Sequence, residues 1–458
     1  MQGPPNDSTL SGEGFFSDVF TAGKTDQSTS IAITERTKRW FFAAFLVFVA
    51  ACSVWQAAVQ ARAFDSWIIG DWLINYSGGF IRRGLIGALV ITLHRATGAP
   101  LEWIVFSIQT IAFLVFLGCV YQLSKGIRWS YLMVAVLLSP ATLAFTVLDP
   151  SYAGLRKEIL LFAGLALFVV VLVHDRLKDW QLIAVLSAIL VGMTLSHEAL
   201  LVAAPYLFAA VAVQTMSLRR AVRLCAIPFA LAGLALIAVI LRHGDLAMTQ
   251  AICSSVGGQM NAAGVVTATG GICSGSIASL QLSASAEHAG IIGWIRDSHL
   301  LSLYGLFIVP TFAPLILLMW QFYRRDHLRY EVLVVFACFL VSLPGIAVLM
   351  YVGSDWGRWI HIEAVSLMLL AMMIDRRAIA DSRKAEPARR SKVAVQALAT
   401  LVVLLYVTTW TLPAIGTGYE RQGYLSLVSP EYRKTMHDTR AAAVRLVKEG
   451  VGARNIGS

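Results

Sequence analysis

Gly84-Leu85-Ile86-Gly87-Ala88-Leu89-Val90-Ile91-Thr92-Leu93 decides how this chain is threaded. The stretch is apolar, but it has about half of the ~20 residues that a helix needs to cross a bilayer. Read as a crossing, it puts every later basic cluster on the wrong side. Read as a helix lying on or dipping into one leaflet, it brings the whole chain into register.

The register comes from the longer apolar runs near 40–60, 101–122, 130–148, 158–173, 180–196, 199–216, 224–241, 301–322, 331–352, 360–374 and 393–411. Each is read as a membrane span. Lys125/Arg128, Arg176/Lys178, Arg219/Arg220/Arg223, Arg324/Arg325/Arg329 and the stretch Arg376 to Lys392 fall at every second connection. Basic residues gather on the cytoplasmic side. With Glu35-Arg36-Thr37-Lys38-Arg39 before the first span, the N-terminus is expected to be cytoplasmic, and residues 61–100 external.

The expected fold class is therefore all-α, a polytopic transmembrane helical bundle of about 11 spans in the cytoplasmic (inner) membrane. Its parts are a disordered cytoplasmic tail over 1–39 and a transmembrane domain over 40–411. Within that domain are a first external loop, 61–100, with juxtamembrane helices, and a large external loop, 243–300. A C-terminal tail over 412–458 follows, external by parity, with a helix capped by Ser429 and stopped at Gly450. Composition agrees. Of 458 residues 57% are hydrophobic and only 14% charged, against about 25% charged in soluble domains, so lipid must be part of the solvent. The net charge of +10 sits in short segments between apolar runs, which points to membrane lipids as partners and away from nucleic acid.

Cys52, Cys119, Cys225 and Cys338 lie inside apolar runs and read as packing residues. Cys253 and Cys273 share a Gly/Ser/Ala-rich loop, where an oxidising compartment would favour a disulfide.

The parity places a scattered set of ionisable residues at one depth: Asp65, Asp71, Arg82, Arg83, Asp149, Arg156, Lys157, Glu158, His197, Glu198, Asp355, Arg358, His361 and Glu363. The densest segment runs from Phe64 to Gly87. Trp67, Trp72 and Tyr76 suit the headgroup layer, and Gly78-Gly79 permits a turn with positive φ or a close backbone approach. Arg82-Arg83 offers guanidinium forks that match phosphate oxygens, or simply anchors the helix. Arg156-Lys157-Glu158 opens a helix with cations, against the helix dipole, as expected where a phosphate or an internal acid holds them. Ser196-His197-Glu198 separates two apolar runs with almost no loop. The pair reads as a general base, as a ligand to a divalent metal, or as a helix cap; a lone His-Glu is no metal motif. Asp355, Arg358 and His361 share a helix face at i, i+3 spacing, so Asp355 either positions Arg358 for a ligand or closes an ion pair.

No G-x-x-x-x-G-K-[ST], H-E-x-x-H or G-x-S-x-G motif is present, so nucleotide-driven transport and serine hydrolysis gain no support. In topology the chain resembles the GT-C class of membrane glycosyltransferases, and its external arginines and His-Glu turn are similar to those of O-antigen-type polysaccharide polymerases. The resemblance implies transfer of a sugar from a polyprenyl-(pyro)phosphate donor to a glycan or lipid acceptor outside the cytoplasmic membrane. In this class a carboxylate of the first external loop acts as base, here Asp71 or Asp65. Arg82, Arg83, Arg156, Lys157, His197, Glu198, Asp355 and Arg358 would then hold phosphate and substrate. The class's paired acidic diad is absent, which leaves metal dependence open. A transporter or flippase for a lipid-linked or anionic solute is the other reading; it expects charges at mid-membrane and broken helices in repeated halves.

Overall fold

The computed structural model describes residues 35–148, 155–174, 177–242, 244–260, 271–282, 285, 288–289, 291–292, 300–353, 355–381 and 393–412. The expectations for the tails 1–34 and 413–458, the Asp149-Pro150 turn, Arg176 and much of the large loop lie outside them.

Every described element is helical. In chain order they are α1 (Glu35–Ala63), α2 (Ile68–Leu73), α3 (Gly84–Thr97), α4 (Leu101–Ser124), α5 (Tyr131–Leu137), α6 (Phe145–Leu148), α7 (Glu158–Val173), α8 (Asp179–Ser196), α9 (Ala204–Thr215), α10 (Leu218–Leu241), α11 (Leu246–Ser255), α12 (Leu300–Tyr323), α13 (Arg329–Val352), α14 (Trp356–Asp381) and α15 (Val393–Thr408). Short 3₁₀ turns include Glu198–Ala203, Ile272–Ser274 and Ala278–Gln281. Among the described residues, 8 helices are long and apolar enough to cross a membrane, and Gly84–Thr97, Glu158–Val173 and Val395–Thr408 form shorter apolar helices. The protein is a multi-pass helical membrane protein.

The run 130–148 departs from its reading as one continuous span. It breaks into α5, a turn and α6. Pro140 lacks an amide hydrogen and disfavours helix in the residue before it. The groups freed by the break find local partners: Thr142 Oγ1 donates to the Val136 carbonyl at 2.8 Å, and Ser139 Oγ accepts from the Ala141 amide at 3.2 Å. Such a break is tolerated at membrane depth only inside protein, and Ser139, Ala141 and Thr142 are all buried.

The core forms around α14. It packs against α4, α7, α9, α12 and α13, and its spanning window is 100% buried, whereas α10, α12 and α13 are 28% buried over theirs. The outer helices keep lipid-facing surfaces, such as Leu234, Val309 and Val341.

The short apolar stretch after Arg82-Arg83 is α3. Its 14 residues rise about 21 Å, short of the ~30 Å hydrocarbon core. It docks on α2, α4 and α8. The approach to α2 is so close that a Cβ on Gly87 would lie 1.9 Å from the Ile74 carbonyl oxygen. Gly87→Ala is expected to destabilise the protein by about 1–3 kcal/mol through overpacking, read as a lower unfolding temperature in detergent.

Cys253 and Cys273 are joined by a disulfide, which ties α11 to the turn Ile272–Ser274. This unit sits on the segment before α2: the Ser276 amide donates to the Ser66 carbonyl at 3.1 Å. Gly78-Gly79 forms the turn that the sequence permits, with Gly79 at φ 113° and its amide donating to the Tyr76 carbonyl at 3.0 Å, and the close backbone approach is to the protein itself: a Cβ on Gly78 would come within 2.7 Å of the Met248 backbone of α11.

Candidate functional site

Where α2, the start of α3, the start of α7 and the α8–α9 junction meet, the bundle encloses a cluster of charges. Its depth comes from local geometry. α2 is a short buried helix, and Asp71 within it is 1% exposed. The segment before α7 is pinned by the Leu155 carbonyl, which accepts from Trp72 Nε1 at 3.0 Å and Gln109 Nε2 at 2.7 Å. This fixes Arg156 and Lys157 against α2.

Lys157 is fully buried and lies 3.9 Å from Asp71 Oδ1. Its ammonium also donates to the Arg83 carbonyl at 3.0 Å. Arg83 has a left-handed backbone, φ 65°, a conformation that costs a non-glycine residue energy and persists only when surrounding contacts impose it. Those contacts are visible. Its carbonyl receives Lys157, and its guanidinium grips Glu198 in a fork, Nε to Oε1 at 3.0 Å and Nη2 to Oε1 at 2.8 Å. Arg82 Nη1 stands 4.0 Å from the same carboxylate. Arg156 Nη1 donates to the Trp67 carbonyl at 3.0 Å, a carbonyl that Ser276 Oγ also reaches at 2.7 Å. Arg358, in the first turn of α14, forms ion pairs with Asp355 and with Glu158 of α7.

Electrostatics bind these groups into one unit. Burial alone would raise the Asp71 pKa, but the surrounding cations, led by Lys157 and including Arg156 and Arg83, hold it well below the usual carboxylate range. Burial pushes the Lys157 ammonium down to about 8, against the opposing effect of Asp71. Burial, followed by Arg83, keeps His197 well below its ordinary value and so neutral at physiological pH. Burial and then Arg358 lower Arg156. Asp71 Oδ2 has no hydrogen-bond partner among the described residues. A buried ionised oxygen without a donor is costly, so Oδ2 is where a hydroxyl ligand gains most.

The sequence-derived residues fare differently. Asp71, Arg82, Arg83, Arg156, Lys157, His197 and Glu198 come together, and Arg358 joins them through Glu158. Asp65 stands apart: its Oδ1 accepts from the amides of Trp67 at 2.9 Å and Ile68 at 2.6 Å, a helix-capping arrangement. His197 also caps, its Nδ1 accepting from the Ala199 amide at 3.2 Å. Among the described residues no three His, Cys, Asp or Glu side chains converge as metal ligands. His361 does not share the Asp355–Arg358 site. It packs between Phe145 and Phe162 with Nδ1 2.8 Å from the Ala141 carbonyl. Glu363 turns to another face of α14. The sequence reading did not find the Arg358–Glu158 pair; its one signal was a carboxylate directly following two cations at a helix start.

No curated protein and no solved structure matches the chain. A family model does match, over residues 40–273, which takes in every member of the cluster up to Glu198 and the Cys253–Cys273 unit. That match covers just over half the chain, and on it the chain belongs to the family described as uncharacterised membrane protein Rv1490.

Proposed function

We propose that this protein is a membrane glycosyltransferase, moving a sugar from a polyprenyl-(pyro)phosphate donor to a glycan or lipid acceptor on the external face of the cytoplasmic membrane. The observation that carries the reading is the Asp71 carboxylate, ionised and with one oxygen unpartnered, held among Lys157, Arg83 and Arg156.

In the proposed reaction the acceptor hydroxyl hydrogen-bonds to Asp71 Oδ2 and attacks the anomeric carbon of the donor. As the new C–O bond forms, the bond to the phosphate oxygen breaks and its electron pair leaves with the phosphate. The hydroxyl proton, made acidic by the forming bond, passes to Asp71. Charge growing on the departing phosphate is met by Arg82 and Arg83 at the more open side of the cluster, where Arg82 is 25% exposed, with Lys157 behind them. Glu198 aims the Arg83 guanidinium through its forked hydrogen bonds, with neutral His197 beside that carboxylate. The Cys253–Cys273 disulfide supports an external placement, because such bonds persist in oxidising compartments. The charges gather at helix ends and junctions, which supports transfer over transport.

The test is a proteoliposome assay with a radiolabelled polyprenyl-phosphate sugar, scoring label in acceptor and release of polyprenyl phosphate. Its pH profile has a stated form. Lys157 loses its charge as pH rises through about 8, so turnover is expected to fall above that pH with the loss of a single proton. In Lys157→Arg the guanidinium stays charged, and the fall should move beyond the measurable range. A donor panel that gives no transfer at any pH would remove the proposal.

A further inference from the structure

α2, the helix that carries Asp71, has 6 residues, all of them buried. An isolated helix in water is marginal even at about 12–15 residues, so this one is held by its neighbours. One flank is fixed to the bundle, through Trp72 Nε1 and the Leu155 carbonyl. Another is covered by the unit that the Cys253–Cys273 bridge closes.

That unit meets α2 along its whole length. Ahead of the helix, a Cβ on Gly275 would lie 2.4 Å from the Ser66 carbonyl oxygen. Ser276 bonds the same backbone twice, its amide donating to the Ser66 carbonyl at 3.1 Å and its Oγ to the Trp67 carbonyl at 2.7 Å. At mid-helix, a Cβ on Gly70 would come 3.2 Å from the Ile272 carbonyl oxygen. Beyond the helix, Asn75 Nδ2 donates to the Leu73 carbonyl and to Ser255 Oγ, both at 2.9 Å. The contact reaches the ionic cluster itself, because Arg156 Nη1 shares the Trp67 carbonyl at 3.0 Å and stands 3.4 Å from Ser276 Oγ.

Without the bridge, the segment from Ile272 to Ser276 would have to settle beside α11 across a sequence separation of 20, at the entropic cost of closing that loop. Burial fixes the order of events. Cys253 and Cys273 are 0% exposed, and a Cβ on Gly258 would come 2.3 Å from Cys273 Sγ. An oxidant therefore reaches these thiols only while the unit is undocked. We infer that the ionic cluster is assembled by oxidation of Cys253 and Cys273, through exchange with an external disulfide. The thiolate of one cysteine attacks that disulfide, forming a mixed disulfide and expelling one thiol. The second cysteine then attacks the mixed disulfide, forming the Cys253–Cys273 bond and expelling the other thiol. Two electrons and two protons pass from the cysteines to the oxidant. Docking then shields the bridge, so the step runs one way.

The experiment uses the full chain in detergent, purified with its thiols reduced, and glutathione disulfide as the oxidant. Hydrogen exchange of α2 and methylation of Lys157 by formaldehyde and an amine borane are followed by mass spectrometry. Before oxidation α2 is expected to exchange fast and Lys157 to react. As the bridge forms, α2 exchange should slow about a hundredfold, the loop entropy that such a bridge removes, and Lys157 should become inert, with α14 protected throughout. Cys253→Ala with Cys273→Ala should stay open after glutathione disulfide is added. Gly275→Ala, which keeps the bridge but cannot seat on Ser66, should leave α2 exchanging at least about tenfold faster than wild type; it decides the matter should the cysteine variant fail to fold. Protected α2 and inert Lys157 before oxidation, wild-type α2 protection in folded Gly275→Ala, or α14 gaining protection in step with α2 overturns the inference. Sugar transfer is not measured, so the proposed reaction and this assembly step can fail separately.

Discussion

Asp71→Asn is expected to lower sugar transfer by about 10²–10⁴-fold, the usual contribution of a positioned general base. The substitution is nearly isosteric, so it removes the charge and the proton-accepting oxygen without changing the size of a buried side chain. It also takes from Lys157 its nearest counter-ion, 3.9 Å away. Burial already lowers that ammonium, so in the variant Lys157 sheds its proton more readily, sparing the fold a buried lone charge. The pH above which turnover falls should therefore move down in whatever activity remains. Asp65→Asn supplies the contrast. Its carboxylate caps α2 through two backbone amides, and asparagine caps equally well, so transfer should change less than twofold. Parallel measurement of kcat with a polyprenyl-phosphate sugar distinguishes the two carboxylates. Wild-type turnover in Asp71→Asn would end the base assignment.

Arg358→Ala is expected to destabilise the protein by about 3–5 kcal/mol, the cost of removing one partner from a buried ion pair. Arg358 and Glu158 have side chains only 6% and 4% exposed, and Glu158 Oε2 already lacks a hydrogen-bond partner. Without the guanidinium, α7 and α14 would each bring a carboxylate, Glu158 and Asp355, towards a shared space with its cation gone. Thermal unfolding in detergent and the monodisperse yield measure the loss. Replacing the pair together, as Glu158→Leu with Arg358→Met, should recover most of the stability, because apolar residues of similar size avoid the desolvation cost. If the double variant is as unstable as Arg358→Ala, the pair is not what holds α7 to α14.

How far the sequence carries differs by scale. Run length located the long helices: 101–122 against the observed Leu101–Ser124, and 180–196 against Asp179–Ser196. It also marked the segment after Arg82-Arg83 as too short to cross, and α3 is such a helix. It failed at 130–148, because mean apolarity does not register one proline at position 140. The site was legible as far as helix-end chemistry goes. Cations opening α7, a glycine-rich approach to α3 and an ionisable pair without a loop each looked costly alone, and they neutralise one another in the fold. Pairing across the chain was not legible. Arg358 and Glu158 are 200 residues apart, and Asp355 at i−3 already offers the arginine a local partner. Tyr206, Ser342 and Glu363, joined by hydrogen bonds, lie on three separate helices, and each reads as ordinary within its own run. In the sequence only nearness to Gly78-Gly79 and Arg82-Arg83 favours Asp71 over Asp65 as the base, and the backbone around Asp65 adds that this carboxylate is engaged in capping.

The full enclosure of α14 bears on how a ribosome can deliver this protein. The helix around which the others close leaves the tunnel only after α1 to α13 have already been released to the membrane. Until then Glu158 waits without its arginine, and the slot between α7, α9 and α12 must be kept from filling with lipid or collapsing. Nascent chains halted before Trp356 should accordingly be prime clients of insertion chaperones and membrane proteases, and synthesis rate across that region should set the yield of mature protein.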